Sequence, residues 1–176
     1  MPKMMETTSI SISYSEGDDR LFLDATGVQG AGRLILTRRI TRRLLSAFVK
    51  LLEKSSVALT RAPADMRTEV IALEHLSAMQ QPQEARGPAQ SGSALPKAFD
   101  PMVVAKVDVQ TLPRAFRLVF HSAQEPVASL TLNRQKFHRL LAALDRFATA
   151  AEWNIRDGAE WLDATTANAG GGRMVS

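Results

Sequence analysis

The sequence of 176 residues contains no cysteine, which excludes disulfides, thiolate nucleophiles and cysteine metal sites. It has only three histidines, His75, His121 and His138, and these lie far apart along the chain. None of the spacings typical of a histidine metal site occurs. We therefore expect solvated or helix-capping histidines, and neither a metal ion nor another cofactor.

Long apolar segments are also missing. No run approaches the roughly 20 residues that a membrane-spanning helix needs, and residues 1–7 contain no apolar stretch that resembles a signal peptide. Hydrophobic residues make up 45% of the chain and charged residues 23%, which is typical of folded globular proteins. We therefore expect a soluble, cytoplasmic protein with no membrane partner.

Recognisable catalytic arrangements are absent as well, whether a Ser-His-Asp triad, a carboxylate pair or a Walker motif. The stretch 27–32 contains Gly27, Gly30 and Gly32, but it is expected to join two strands, whereas phosphate-binding glycine loops open a helix. We therefore predict a flexible hairpin loop at this stretch and a protein that is not an enzyme.

Hydrophobic periodicity predicts both strands and helices. Residues 9–14 alternate polar with apolar side chains, which predicts a strand with Ile10, Ile12 and Tyr14 facing inward. Further strands are predicted at 20–25, 33–36, 103–109, 115–121 and 127–132. Thr37 and Asn133 are suited to cap two long helices that end near residues 54 and 153, and another helix is predicted at 66–80.

These elements predict an α+β protein of two pseudo-symmetric halves that pack together. Each half is a three-stranded antiparallel meander followed by a long amphipathic helix, with an extra helix and a flexible connector between the halves. The first half with its additional helix occupies residues 7–80, and the second half occupies 102–163. Residues 81–101 are rich in Pro, Gln, Gly, Ser and Ala, which predicts the flexible connector, and residues 164–176 are predicted to be a disordered tail.

The two halves show an internal repeat. A shift of 96 positions aligns the predicted cap Thr37 with the predicted cap Asn133, and it also aligns the apolar and basic positions of the two long helices. Upstream, residues 20–23 align with residues 117–120 once a gap of one residue is allowed. Two unrelated amphipathic helices could produce part of this similarity, but the repeated caps and basic positions favour a duplication.

Positive charge is concentrated in one segment. Residues 33–54 contain seven basic side chains and one acid, in a chain whose net charge is +4. Such a concentration favours a polyanion or an acidic protein as partner, and with aromatics at only 6% we expect contact with nucleic-acid phosphates. The candidate contacts are Arg38, Arg39, Arg42, Arg43, Lys50, Arg134, Arg139 and Arg146. The alternative is a solvated face whose arginines pair with Asp18, Asp19 or Asp24.

Two tryptophans, Trp153 and Trp161, lie among acidic residues in the stretch 152–163. This stretch could dock on a partner, or it could pack the end of the last helix onto its own domain.

The strand-to-helix junctions at residues 33–37 (Arg-Leu-Ile-Leu-Thr) and 129–133 (Ser-Leu-Thr-Leu-Asn) resemble the end of a PUR repeat. PUR repeats, like the related Whirly proteins, form a curved sheet plus helix and bind single-stranded nucleic acid. The resemblance therefore implies single-stranded DNA or RNA as the ligand.

The order of elements also resembles the globular heads of the end-joining scaffold and centriolar cartwheel proteins. Those heads self-associate, so this second resemblance implies a non-catalytic scaffold that forms a homodimer or a larger homo-oligomer.

Overall fold

The computed structural model describes residues 4–82, 96–123, 125–155 and 160–162. The named elements follow in chain order: β1 (Met5–Ser15), β2 (Arg20–Gly27), β3 (Gly30–Leu36), α1 (Arg38–Ser55), α2 (Val57–Arg61), a one-turn 3-10 helix (Ala64–Met66), α3 (Arg67–Gln80), β4 (Met102–Thr111), β5 (Ala115–Ser122), β6 (Glu125–Asn133) and α4 (Arg134–Ala150). Among the described helices, none has the length and apolar character to cross a membrane. The predicted tail and most of the predicted connector lie outside the described residues.

The six strands form one closed barrel in sequence order. Antiparallel pairing joins β1, β2 and β3, and likewise β4, β5 and β6. The two groups meet along two parallel seams, where Leu34 pairs with Met102 and Met5 pairs with Ala128. The α+β class is confirmed. The predicted packing of one meander against the other is replaced by a closed barrel, in which the two antiparallel groups pair with each other along their outer strands.

The barrel interior is apolar. Ile10, Ile12 and Tyr14 of β1 pack against the core, as their alternation predicted. The buried apolar side chains on the other strands are Leu21, Leu23, Ala25, Leu34, Leu36, Val104, Phe116, Leu118, Phe120, Ala128, Leu130 and Leu132. Each large aliphatic or aromatic side chain buried in this way contributes about 2 kcal/mol to stability.

The long helices α1 and α4 place their apolar faces in the same core. Phe137 of α4 stacks on Phe116 of β5 with ring centroids 4.2 Å apart, and it lies 4.4 Å from the ring of Phe48 of α1. Both predicted caps are confirmed. Thr37 Oγ1 accepts a hydrogen bond from Ile40 N at 3.4 Å, and Asn133 Oδ1 accepts one from Lys136 N at 2.8 Å.

The strand register corrects the upstream part of the sequence alignment. Leu21 pairs with Leu36 in the first group, whereas Leu132 pairs with Phe116 in the second. Phe116, rather than Leu118, therefore corresponds to Leu21. The reason is a β-bulge in the hairpin of β5 and β6: the register shifts between Phe120 and His121, which adds one residue to β6 before Leu132, whereas the pairing of β2 with β3 has no such shift.

The glycine-rich stretch is shorter as a loop than predicted. Gly27 pairs with Gly30, so that only residues 28 and 29 form the turn, and Gly32 lies within β3. Gly30 has a φ of +131°, which an L side chain rarely adopts. The loop prediction therefore holds only for the tip of this hairpin.

Residues 96–99, which the sequence assigned to the flexible connector, bind to β3. Ala31 N donates to Pro96 O at 2.9 Å, and Ala98 N donates to Ala31 O at 2.9 Å. The ring of Phe99 lies against Gly32 so closely that a Cβ at position 32 would come within 2.4 Å of it. This segment extends the short contact between β3 and β4.

Helical boundaries differ from the prediction in two places. A short helix, α2, precedes α3, and α4 ends at Ala150 rather than near residue 153. Trp153 and Trp161 are 1% and 3% exposed, so both pack onto their own domain and are not free to anchor a partner.

Candidate nucleic-acid interface

A row of cations runs along the solvent side of α1. Arg39, Arg42, Arg43 and Lys50, which we call the α1 basic face, are all exposed. Together with Ser46 and Ala47 they line an open, shallow groove of about 580 Å³. At 1.5 Å per residue, the row extends about 16 Å along the helix. This length is enough for several phosphate groups of a nucleic-acid strand.

Three cations of this row, Arg39, Arg43 and Lys50, have no acidic partner among the described residues. α1 has no acidic residue in its first turn, and the first acid along the helix is Glu53, which accepts a hydrogen bond from Trp161 Nε1 at 3.1 Å. Within the described residues, Arg39, Arg43 and Lys50 form neither a hydrogen bond nor an ion pair. Cations near a helix N-terminus oppose the helix dipole, at a cost of a few tenths to about 1 kcal/mol each. A bound anion would offset this cost.

Three of the other predicted contacts serve the fold. Arg38 Nη2 donates to the carbonyl oxygen of Trp153, and Arg139 Nη2 donates to that of Gln81. Arg134 forms an ion pair with Glu74 and donates to Leu52 O at 2.8 Å. These three guanidinium groups are therefore engaged inside the protein.

Arg146 is exposed on α4 with its guanidinium 5.0 Å from the centre of the Phe147 ring. Of the eight predicted contacts, the structure therefore brings four together in one exposed row, engages three internally and places Arg146 on a different helix.

The acids that were the alternative partners of the arginines have other contacts. Asp24 accepts from Arg33 Nε at 2.6 Å, Asp18 accepts from Ser15 Oγ at 2.7 Å, and Asp19 accepts from the Trp153 indole at 2.5 Å. The hydrogen bond from Trp153, followed by one from Tyr14, lowers the pKa of Asp19. The described contacts thus contain no pairing of these acids with the α1 basic face.

Among the described residues, no aromatic side chain lines the groove of the α1 basic face. Phe116 and Phe120 are buried in the barrel. Phe22 is half-buried on β2, and its ring is covered by the Arg33 guanidinium at 4.7 Å from the centroid. Contact with phosphates is therefore better supported by the geometry than base stacking.

A buried polar cluster joins α3 to α4, and it was not among the predicted sites. His75 Nδ1 lies 3.0 Å from His138 Nδ1, and His138 Nε2 donates to Glu74 Oε1 at 3.1 Å. Ser56, the N-cap of α2, donates to Glu74 Oε2 at 2.6 Å. His75 and His138 are 2% and 1% exposed, so the prediction of solvated or capping side chains is wrong for both.

The environment of this cluster fixes its charges. Burial alone would raise the pKa of Glu74, but hydrogen bonds from His138, Arg134 and Ser56 outweigh burial and lower the pKa to about 2. Burial, together with the nearby His138, lowers the pKa of His75 to about 4. At neutral pH, Glu74 is therefore an anion and His75 is neutral.

His121 lies apart from this pair, on β5. Its Nε2 is 2.9 Å from Asp108 Oδ2, and Lys106 Nζ lies 2.8 Å from the other carboxylate oxygen. In the described part of the chain, no three metal-ligating side chains come together.

Comparison of the chain with protein-family models, with curated proteins and with solved structures yields no match.

Proposed function

We propose that this is a non-catalytic binding protein whose α1 basic face binds the backbone of single-stranded DNA or RNA. The observation that carries the proposal is the exposed row of Arg39, Arg42, Arg43 and Lys50, which has no acid between its members. Concentrated positive potential attracts polyanions and accelerates their association. The engaged arginines Arg38, Arg134 and Arg139 are not part of this proposed surface.

The proposal of a non-catalytic role is supported by the state of the titratable side chains that do come together. Glu74, His75 and His138 bond to one another inside the protein, and the two histidines are almost completely buried. A general acid or base has to reach a proton of its substrate. These side chains face one another instead of an open cavity.

Salt dependence of binding tests the proposal. For single strands, the logarithm of the binding constant falls with the logarithm of salt concentration with a slope of about −0.7 for each phosphate contacted. The three cations without a described partner, Arg39, Arg43 and Lys50, thus predict a slope of about −2. Fluorescence anisotropy with labelled oligonucleotides of DNA and RNA measures this slope.

Matched variants separate the α1 basic face from net charge. The triple variant Arg39→Gln, Arg43→Gln, Lys50→Gln is expected to reduce the slope by about 2. The control removes three exposed cations elsewhere, Arg61→Gln, Arg67→Gln and Arg114→Gln, and is expected to retain most of the affinity. Failure of the wild-type protein to bind at low salt, or an equal loss in both triple variants, would contradict the proposal.

A second candidate function is a homo-oligomeric scaffold, and exposed apolar side chains on the helices favour it. Val57, Met66 and Leu73, on α2, the 3-10 helix and α3, are 65%, 51% and 65% exposed. Exposed apolar side chains of this size are typical of protein contacts when they are close together. Self-association through these helices would leave the strand pairing of the closed barrel intact.

Sedimentation equilibrium tests the scaffold. The wild type is expected to dimerise in a concentration-dependent manner, and Leu73→Lys is expected to remain a monomer because a charge replaces an apolar contact. A wild type that stays monomeric over a wide concentration range would contradict this function.

We also propose that the two halves arose by duplication and are related by a pseudo-two-fold axis. Residues 96 positions apart support this: Thr37 and Asn133 both cap helices, and the pairs Leu34/Leu130, Leu36/Leu132, Leu44/Leu140 and Leu45/Leu141 are all buried. The seams between the halves are both parallel, as such an axis requires. An experimental structure in which β3 and α1 do not superimpose on β6 and α4 would contradict the duplication.

A further inference from the structure

The floor of the groove on α1 is formed by small side chains. Ser46 lies four residues from both Arg42 and Lys50 and three residues from Arg43, so these cations are its neighbours on the helix surface. Ser46 and Ala47 are half-buried, whereas the flanking cations are exposed. A ligand of the size of a phosphate group could therefore approach the helix between long basic side chains.

The hydroxyl group of Ser46 differs from the other two hydroxyls of α1. Thr41 donates to Thr37 O at 3.1 Å, and Ser55 donates to Leu51 O at 2.5 Å. Both bonds reach the carbonyl four residues back, which is the usual contact of a hydroxyl inside a helix. Ser46 makes no hydrogen bond within the described residues. Its donor is thus available to a ligand in the groove.

We infer that Ser46 marks the position of one phosphate group of the nucleic-acid backbone, an inference that rests on the proposed function. The hydroxyl donates to a non-bridging phosphate oxygen, while the Arg43 guanidinium and the Lys50 ammonium group contact the same phosphate from either side. Hydrogen bonds that involve charged groups are stronger than neutral ones. Binding at this position therefore depends on the shape of the groove as well as on its charge.

Two substitutions at Ser46 test the position without any change in charge. Ser46→Ala removes the hydroxyl and is expected to weaken binding of a labelled single-stranded oligonucleotide about tenfold, the loss of one hydrogen bond to a charged group. Ser46→Met fills the floor of the groove and is expected to weaken binding at least as much. It should also reduce the salt slope by about 0.7, the contribution of one phosphate.

The matched control is Ser77→Met, which introduces the same side chain at an exposed serine of α3 and should leave binding unchanged. Circular dichroism and thermal melting check that each variant is folded. Should Ser46→Met fail to fold, Ser46→Ala still decides the question, since alanine is the best helix former.

The outcomes separate this inference from the function on which it rests. If both Ser46 variants bind like the wild type while the triple glutamine variant of the α1 basic face does not, the phosphate position is wrong and charge alone explains binding. If the triple variant also binds like the wild type, the proposed function is wrong. Parallel titrations with inorganic phosphate and with phosphatidylglycerol vesicles identify the source of the phosphate. Tight binding of either one without binding of the oligonucleotide would overturn the inference.

Discussion

Replacing Glu74 by glutamine should destabilise the protein strongly, because one carboxylate holds three elements together. It accepts hydrogen bonds from Arg134 and His138 of α4 and from Ser56 at the start of α2. Glu74→Gln keeps the volume of the side chain but removes its charge. The Arg134 guanidinium then remains partly buried with no anionic partner.

The loss of stability caused by Glu74→Gln can be worked out in two ways. Breaking a buried ion pair by removal of one partner costs about 3–5 kcal/mol, and because the side chains of Glu74 and Arg134 are 22% and 31% exposed, we expect the lower end, about 3 kcal/mol. Independently, the pKa of Glu74 is about 2 in the folded protein against a usual 4.5. That difference corresponds to about 3 kcal/mol of stability.

The sign of the pH effect follows from the lowered pKa. The stabilisation by Glu74 is complete above pH 4.5 and is lost as the pH falls towards 2, since the unfolded chain then binds the proton first. Glu74→Gln should therefore be about 3 kcal/mol less stable than the wild type at pH 7 but nearly as stable as the wild type near pH 2.

Urea denaturation followed by circular dichroism at several pH values measures both effects. The control Glu69→Gln lies on the same helix, is exposed, and should change the free energy of unfolding by only a few tenths of a kcal/mol. A loss below about 1 kcal/mol for Glu74→Gln at pH 7, or an unchanged pH profile, would refute the assigned role of this carboxylate.

Two further predictions concern His75 and Gly32. Burial lowers the pKa of His75 from 6.5 to about 4. As the pH falls from 6.5 to 4, the unfolded chain binds the proton first, so the free energy of unfolding of the wild type should fall by up to about 3 kcal/mol. His75→Phe should flatten this part of the pH profile in the same urea series. Gly32→Ala should cost about 1–2 kcal/mol, since its Cβ would meet the Phe99 ring. The change should be nearly neutral in a Phe99→Ala background, whereas equal costs in both backgrounds would contradict the contact. Gly17→Ala, at a position with open space around it, is the control.

Local features of the fold could be predicted from the sequence. The caps Thr37 and Asn133 and the buried faces that contain Leu44 and Leu140 follow from side-chain chemistry and from helical periodicity. The short helix α2 was missed because five residues carry too little periodicity to identify a helix. The parallel seams were missed because no turn joins the paired strands, so that nothing in the local sequence marks them.

For the candidate site, too, local features could be predicted from the sequence and long-range contacts could not. Basic residues could be named from the sequence, but whether each one is engaged depends on partners far away in the chain, such as Trp153 for Arg38 and Glu74 for Arg134. His75 and His138 were misjudged for the same reason, because their contact joins residues 63 positions apart. One signal was present: His75 lies four residues after Ile71 and three before Ala78, on the buried face of α3.

The seam between β1 and β6 has a consequence for how the protein folds. Its three residue pairs join strands that are about 120 positions apart in the chain, and the β3–β4 seam has only two pairs. Closing so large a loop for so few hydrogen bonds is entropically unfavourable. The β1–β6 seam should therefore form last during folding. In hydrogen exchange, its amides should open before those of the hairpins, which makes it the first line along which the barrel separates.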